Sequence, residues 1–334
     1  VSGMPATRGR FARGCWTGSG LKLMFDCSLV LRALNEEKPL ERLLGGVHNQ
    51  TVRKVEIILV DSGSTDSTIE VAQKNKARIL HILPKDFTFG RSLNLGVSAA
   101  TSPLVVIASA HVYPVYPDWL EKLLAPFEDP TIAISYGKQR GTPVARFSEQ
   151  QVFARWYPGQ SNLRQQQPFC NNANAAIRRS LWQAHPYDET LTGLEDLAWG
   201  KWVLEQGLGI AYMAEAEVIH VHAETRSAVR NRYKREAIAF RQIYPEAHFN
   251  LYDYFRSTLS SIGFDILHAA RVHQLWASLP GIFWFRTAQF WGTYQGYRHS
   301  GMITPSLRQT FYYHVGWDRS KKNTRDVDPI RYNE

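Results

Sequence analysis

Two neighbouring carboxylates, Glu195 and Asp196, stand in Gly193-Leu194-Glu195-Asp196-Leu197-Ala198-Trp199, where a helical pattern begins. A carboxylate placed beside a reacting hydroxyl can take its proton, the task of a general base. The plain alternative is the enrichment of acids at helix N-termini, which the helix dipole favours. A second set, Val60-Asp61-Ser62-Gly63-Ser64-Thr65-Asp66-Ser67-Thr68, follows an apolar run that reads as a buried strand. Strand carboxyl ends are where open α/β sheets bind ligands. Asp61 can accept hydrogen bonds from a base or ribose, Gly63 permits a tight turn, and Ser64, Thr65 and Asp66 can cap the next helix. An ordinary capped strand-to-helix turn would carry the same residues. His220-Val221-His222 closes another strand pattern, and alternate strand residues face one side, so the two rings can point together. His-x-His is equally common in structural roles. Arg226, Arg230 and Tyr233 or Lys234 share a face of the following helix, suited to clamp a diphosphate or an anionic acceptor or to stand as a solvated basic face.

These groups need a scaffold, and the first half of the chain supplies one by alternation. Apolar runs predict strands at 27–33, 55–60, 77–83, 104–108 and 132–137; amphipathic stretches predict helices at 39–48, 67–74, 91–100, 117–125 and 148–156. That alternation implies a mostly parallel sheet with both faces covered. Further on, 171–177 reads as a strand, 178–184 and 195–206 as helices, 210–213 and 217–221 as strands, and 226–243 as a helix. Beyond 250 aromatic residues crowd 276–297. Phe283, Phe290, Tyr294 and Tyr297 fall on one helical face with Trp284 and Trp291 beside it, predicting either a helix packed on the rest of the chain or an interfacial membrane helix or subunit contact.

The ordered set Ser28 to Glu37, Val60 to Thr68, Phe89-Gly90-Arg91-Ser92-Leu93-Asn94-Leu95-Gly96, Ser109-Ala110-His111 and Glu195-Asp196 resembles family 2 glycosyltransferases, over about Cys27 to Tyr244. The resemblance implies a GT-A type α/β fold: a Rossmann-like, mostly parallel sheet flanked by helices, here with a helical C-terminal extension. The family usually ends its fourth strand in Asp-x-Asp. Ser109-Ala110-His111 resembles instead the rhamnosyltransferase-like branch, which serves bacterial surface polysaccharides. The implied reaction is inverting transfer from a nucleotide-sugar, a UDP- or dTDP-sugar, to a glycan or lipid-linked glycan hydroxyl. The alternative is a non-catalytic carbohydrate-binding or scaffold protein on a degenerate transferase fold. By resemblance Asp196 is the base, with Glu195 orienting it or binding the acceptor. Asn35, Glu37 and Asp61 frame the nucleoside, and Ser64, Arg91, Asn94, Ser109, His111 and Arg226 complete donor binding. His111 and His222 are the candidate ligands of a divalent cation, Mn²⁺ or Mg²⁺; without one, His111 would donate to phosphate or sugar, or be structural. Asn171-Asn172-Ala173-Asn174 resembles the acceptor-side segment.

Composition narrows the context. The 334 residues carry a net charge of +9, with 12% aromatic and 21% charged residues, which suits a globular chain and phosphate-bearing ligands or an anionic membrane surface. No nucleic-acid module or Lys/Arg block occurs, so nucleic acid is not an expected partner. Cys15, Cys27 and Cys170 lack metal or redox spacing and, being odd in number, predict free thiols in a reducing compartment. With no apolar run of spanning length and no signal-like start, the expected place is the cytoplasm, at or near the inner face of the membrane. Expected divisions are a leader at 1–23 before Met24, a catalytic domain at 24–248, an aromatic-rich helical extension at 249–317, whose segment 276–298 is expected to make peripheral membrane or homo-oligomer contact, and a loose polar tail at 318–334.

Overall fold

The structure, a computed structural model, describes residues 25–142, 145–221, 225–298 and 327–332. The expected leader and most of the expected tail lie outside them. In chain order the elements are β1 (Cys27–Ala33), α1 (Glu37–His48), β2 (Val55–Asp61), α2 (Thr68–Lys74), β3 (Arg78–His81), α3 (Phe89–Ala99), β4 (Leu104–Ser109), β5 (Val112–Pro114), α4 (Trp119–Leu124), β6 (Ile132–Gly141), α5 (Phe147–Trp156), β7 (Asn174–Arg178), α6 (Arg179–Ala184), α7 (Glu195–Glu205), β8 (Gly209–His220), α8 (Arg226–Ile243), α9 (Leu251–Arg271) and α10 (Leu275–Tyr297).

One eight-stranded sheet runs β3-β2-β1-β4-β7-β6-β8-β5. The β3-β2-β1-β4 half is parallel throughout, and antiparallel β7 joins it to the rest through β4. The apolar faces of β1, β2 and β4 are covered on both sides, as burial of a parallel sheet requires. Strand order reverses between β1 and β4, and such a switch point opens a crevice at the strand carboxyl ends. There Arg32 pairs with Ser109 across the β1–β4 ladder.

The segments expected as two strands, 210–213 and 217–221, form one continuous β8. A register shift against β6 at Gly137/Gln139 absorbs the irregular middle of its sequence. Three-residue β5 pairs Val112 with His220. Part of the expected loose tail is docked: Ile330 N–H donates to the Val115 carbonyl at 2.9 Å, and the Tyr332 ring meets Tyr113 edge-on.

Helix α10 lies along α8 at very short range. A Cβ on Gly292 would fall 2.2 Å from the Arg230 carbonyl oxygen, and one on Gly296 2.5 Å from that of Lys234, so glycine is required at both. Phe290 and Tyr297 are core residues, packed with Phe240 and Phe249. Arg286 is buried in a two-bond pair with fully buried Asp265, at 2.8 and 2.9 Å, which also accepts from Ser148 of α5. The aromatic face expected at 276–297 is therefore divided: packing against α8 claims Phe290 and Tyr297, while Phe283 stays exposed.

Candidate active site

A cavity of about 660 Å³ opens at the switch point. Its floor is the carboxyl ends of β1 and β4, with Arg32, Glu36, Ser109 and His111. One wall is the start of α7, with Leu194, Glu195 and Asp196, and α8 adds Arg232, Tyr233 and Arg235. An aromatic sector from α5 and the segment after it includes Trp156, Tyr157 and Phe169. A concave, largely apolar lining with a few convergent polar groups is the usual form of a small-ligand site.

The carboxylates are held in a definite way. Gly200 lets α7 dock on the 168–170 segment, because a Cβ there would sit 2.2 Å from the Pro168 oxygen. That docking sets Asn172 against both acids. Its backbone N–H donates to Asp196 Oδ2 at 3.0 Å, and its side-chain amide reaches Glu195 Oε1 at 3.5 Å. Asp196 Oδ1 accepts the Leu197 N–H at 2.8 Å. Burial, and then the neighbouring Glu195, push Asp196 up to about 7, against the bonds from Asn172 and Leu197 and the charge of Arg32. Glu195 is buried and faces the Arg32 guanidinium at 3.6 Å. The residue before them, Leu194, has a left-handed backbone with φ of 58°. That conformation costs a β-carbon residue about 1–2 kcal/mol, and such strain gathers where surrounding structure fixes a functional group.

Cations ring the floor. The Arg32 and Arg235 guanidinium carbons stand 4.8 and 4.4 Å from the Phe89 ring centroid. His111 Nδ1 lies 2.8 Å from Glu36 Oε1, and its Nε2 3.2 Å from Ser109 Oγ. Pairing of β5 with β8 brings the His220 ring to 5.0 Å from His111, while His220 Nδ1 lies 2.8 Å from Gln139 Oε1. Among the described residues no group of three or more His, Cys, Asp or Glu side chains is set to hold a metal ion. His222, the other expected ligand, lies outside the described residues. Without His222, the described donor set does not amount to a cation site.

The cavity thus gathers Glu195, Asp196, Ser109 and His111, while Asn35, Glu37, Asp61, Ser64, Arg91, Asn94 and Arg226 stand outside its lining. The outer group is largely occupied with itself. Asp61 is 2% exposed and accepts from the Gly63 and Ser64 N–H groups at 3.0–3.3 Å. Asn35 Oδ1 accepts from Thr65 N–H at 2.8 Å, Asn35 N–H donates to Ser64 Oγ at 2.9 Å, and Glu37 N–H donates to Asp66 at 3.1 Å. Asn94 holds the loop after α6: its Nδ2 donates to Tyr187 O and Glu189, and its Oδ1 accepts from Trp182 and the Tyr187 N–H. Arg91 is half exposed, 4.0 Å from Asp86, and Arg226 is exposed at the start of α8.

Arg32, Arg235 and the aromatic sector were not singled out from the sequence. A cation at the carboxyl end of a strand was the available signal for Arg32, but its importance depends on β4 being the neighbour of β1. Arg235 stands one step around α8 from the face of Arg226 and Arg230.

This architecture, a parallel half-sheet with a switch-point cavity joined through antiparallel β7 to a mixed half, is that of the GT-A glycosyltransferases. Over 86% of the chain and 88% of the other, it is similar to the mannosyltransferase PcManGT from Pyrobaculum calidifontis, solved in complex with GDP-Man and Mn²⁺, with a TM-score of 0.54 at 17% identity. Residues 28–185, a little under half of the chain, match the family model described as glycosyl transferase family 2. It is 29% identical over 195 residues to the O-antigen chain rhamnosyltransferase WbaN of Salmonella anatum, covering 55% of this chain and 62% of that one. It is 27% identical over 220 residues to RfbN, the O-antigen chain rhamnosyltransferase of Salmonella typhimurium, covering 62% of this chain and 69% of that one. The first of these alignments thus spans less than two-thirds of its relative.

Proposed function

We propose that this chain is an inverting glycosyltransferase of polysaccharide synthesis, moving a deoxyhexose or hexose from a nucleotide diphosphate donor to a hydroxyl of a glycan or lipid-linked glycan. The observation that carries the reading is the cavity-lining Asp196 carboxylate, oriented by two backbone N–H groups and pushed up to about 7 by burial beside Glu195. A base with that affinity is half ionised near neutrality, where proton transfer from a hydroxyl is most effective. The O-antigen chain rhamnosyltransferase relatives favour a rhamnosyl group as the one moved, and the family resemblance favours a UDP- or dTDP-sugar as its carrier.

In the proposed step the acceptor hydroxyl gives its proton to Asp196 as its oxygen forms a bond to the anomeric carbon. The bond from that carbon to the diphosphate oxygen breaks, and the nucleoside diphosphate leaves with the electron pair. Attack and departure on opposite faces invert the carbon. Arg32 and Arg235, with His111 beside them as a hydrogen-bond donor, answer the charge that grows on the leaving oxygen. The loops carrying Asn35, Glu37, Asp61 and Ser64 act here as the rigid rim beside the nucleoside. Ring faces of Trp156, Tyr157 and Phe169 are suited to the apolar faces of acceptor sugars. Asp196→Asn tests the reading: donor binding should persist in calorimetry while transfer is lost. Turnover close to wild type would overturn it, and a protein that binds glycan but shows no transfer before mutation would be the carbohydrate-binding alternative.

A further inference from the structure

The α9–α10 hairpin presents a surface with an unusual charge rule. Residues 251–298 contain two acids, Asp253 and Asp265, and both are buried. Asp253 closes a capping box with Asn250 at the start of α9, and Asp265 holds Arg286. The cations Arg256, Arg271 and Arg298 are exposed. Every formal charge this segment shows to its surroundings is therefore positive.

Apolar side chains stand among those cations. Tyr252, Phe255 and Leu259 follow at spacings of three and four and so occupy one face of α9; Tyr252 is 71% and Leu259 66% exposed. Leu267 of α9 and, in α10, Trp276 at 83% exposure and Phe283 are exposed as well. Scattered exposed apolar groups are ordinary, but a row on one amphipathic helix marks an interaction surface. Among the described residues no helix is long and apolar enough to cross a membrane.

We propose that this face of α9, with Trp276 and Phe283, docks on an anionic lipid surface and holds the protein against it. The charge rule selects the occupant. A second copy presenting the same face would set cation against cation. Segment 299–326 of the chain is itself basic, with Arg308, Arg319, Lys321, Lys322 and Arg325 against Asp318 and Asp326, so it complements the face poorly. Nucleic acid would meet the cations and leave Phe255, Leu259 and Leu267 without a counterpart. An anionic bilayer answers both parts: phosphate headgroups for Arg256 and Arg271, the interfacial zone for the rings of Tyr252 and Trp276, and the acyl boundary for Phe255 and Leu259. Trp284 and Trp291 are not part of it, since Trp284 packs under Arg146 at 4.2 Å and Trp291 against Tyr254.

The test is co-sedimentation of the whole chain with vesicles of phosphatidylcholine alone and with vesicles containing about one-third phosphatidylglycerol. Wild type should partition onto the anionic vesicles at least about tenfold better, and less so as salt rises. Phe255→Glu with Leu259→Glu should reduce binding to the neutral-vesicle level while the melting temperature holds, because both side chains are exposed. Arg256→Glu with Arg271→Glu should weaken binding to anionic vesicles alone. Indifference of the wild type to anionic lipid, or full binding by the Phe255/Leu259 variant, would overturn the proposal. So would light scattering that shows a dimer split by the same changes. The readout is partition, so its failure leaves the transfer reaction untouched.

Discussion

The turn after β2 and the start of α7 are both acid-rich, and they use their acids in opposite ways. After β2, burial raises Asp66, yet the bonds it accepts from Thr68 and the Glu37 N–H outweigh this and hold it below the usual carboxylate range. Asp61 is likewise met by N–H groups of its own turn. At α7, Asp196 also accepts two N–H groups, but burial and the adjacent Glu195 dominate and push it up to about 7. An acid answered by its own loop builds that loop. An acid removed from water beside a second acid keeps an affinity for protons that chemistry can use.

The contrast can be broken most severely at Asp196. Asp196→Asn is expected to lower kcat by about 10²- to 10⁴-fold, the usual contribution of a general base, with donor affinity in calorimetry little changed; equal losses in both would make it a binding residue. The same group should set a pH profile. Transfer should rise as Asp196 ionises through about pH 7, and kcat/KM measured across that range should lose this limb if Asp196 is not the base.

Stability should move the other way. The native state holds the Asp196 proton more tightly than an unfolded aspartate, whose pKa is about 4. Its contribution is present below pH 4 and is lost as pH rises to about 7. The fall in melting temperature over that window should flatten in Asp196→Asn; identical slopes would mean the proton is not retained on folding.

On the other side of the comparison, Asp61→Ala leaves the Gly63 and Ser64 N–H groups without their acceptor. A loss of about 1–3 kcal/mol in denaturant unfolding is expected, with nucleotide affinity falling only through the disordered rim. A full-strength loss of affinity at unchanged stability would return Asp61 to direct contact. The smallest effect is expected from chelation if Arg32 and Arg235 carry the leaving charge: EDTA should then change transfer less than about twofold. Loss restored by Mn²⁺ would place a cation between His111 and His222.

Much of the fold was legible because its signals are local. Strand 27–33 and helix 226–243 fall where hydrophobic periodicity places them, and Glu195-Asp196 opens a helix as the pattern implies. Three-residue β5 carries too few residues for a period, and it exists because β8 offers an edge. The cavity was legible only in part, since position along a strand says nothing of which strand lies beside it. Arg32 gains its place from β4, and His220 meets His111 through β5. Asn35, Asp61 and Ser64 were visible as polar strand-end residues, but their bonding to one another depends on the two loops lying side by side. The aromatic run of α10 was visible as well; that Phe290 and Tyr297 turn inward follows from the close approach to α8 permitted by Gly292 and Gly296.

That approach makes α10 a partition with two addresses. Phe285 and Gln289 line the cavity, while Phe283, on the same helix, is exposed. The reacting space and the outer surface are then separated by about one helix diameter, roughly 10 Å. At Gly292 and Gly296 this wall rests directly on the α8 backbone, and in the cavity lining Phe285 packs edge-on against Tyr233. A substrate tethered to a surface under α9 would have only the thickness of this one wall to travel around.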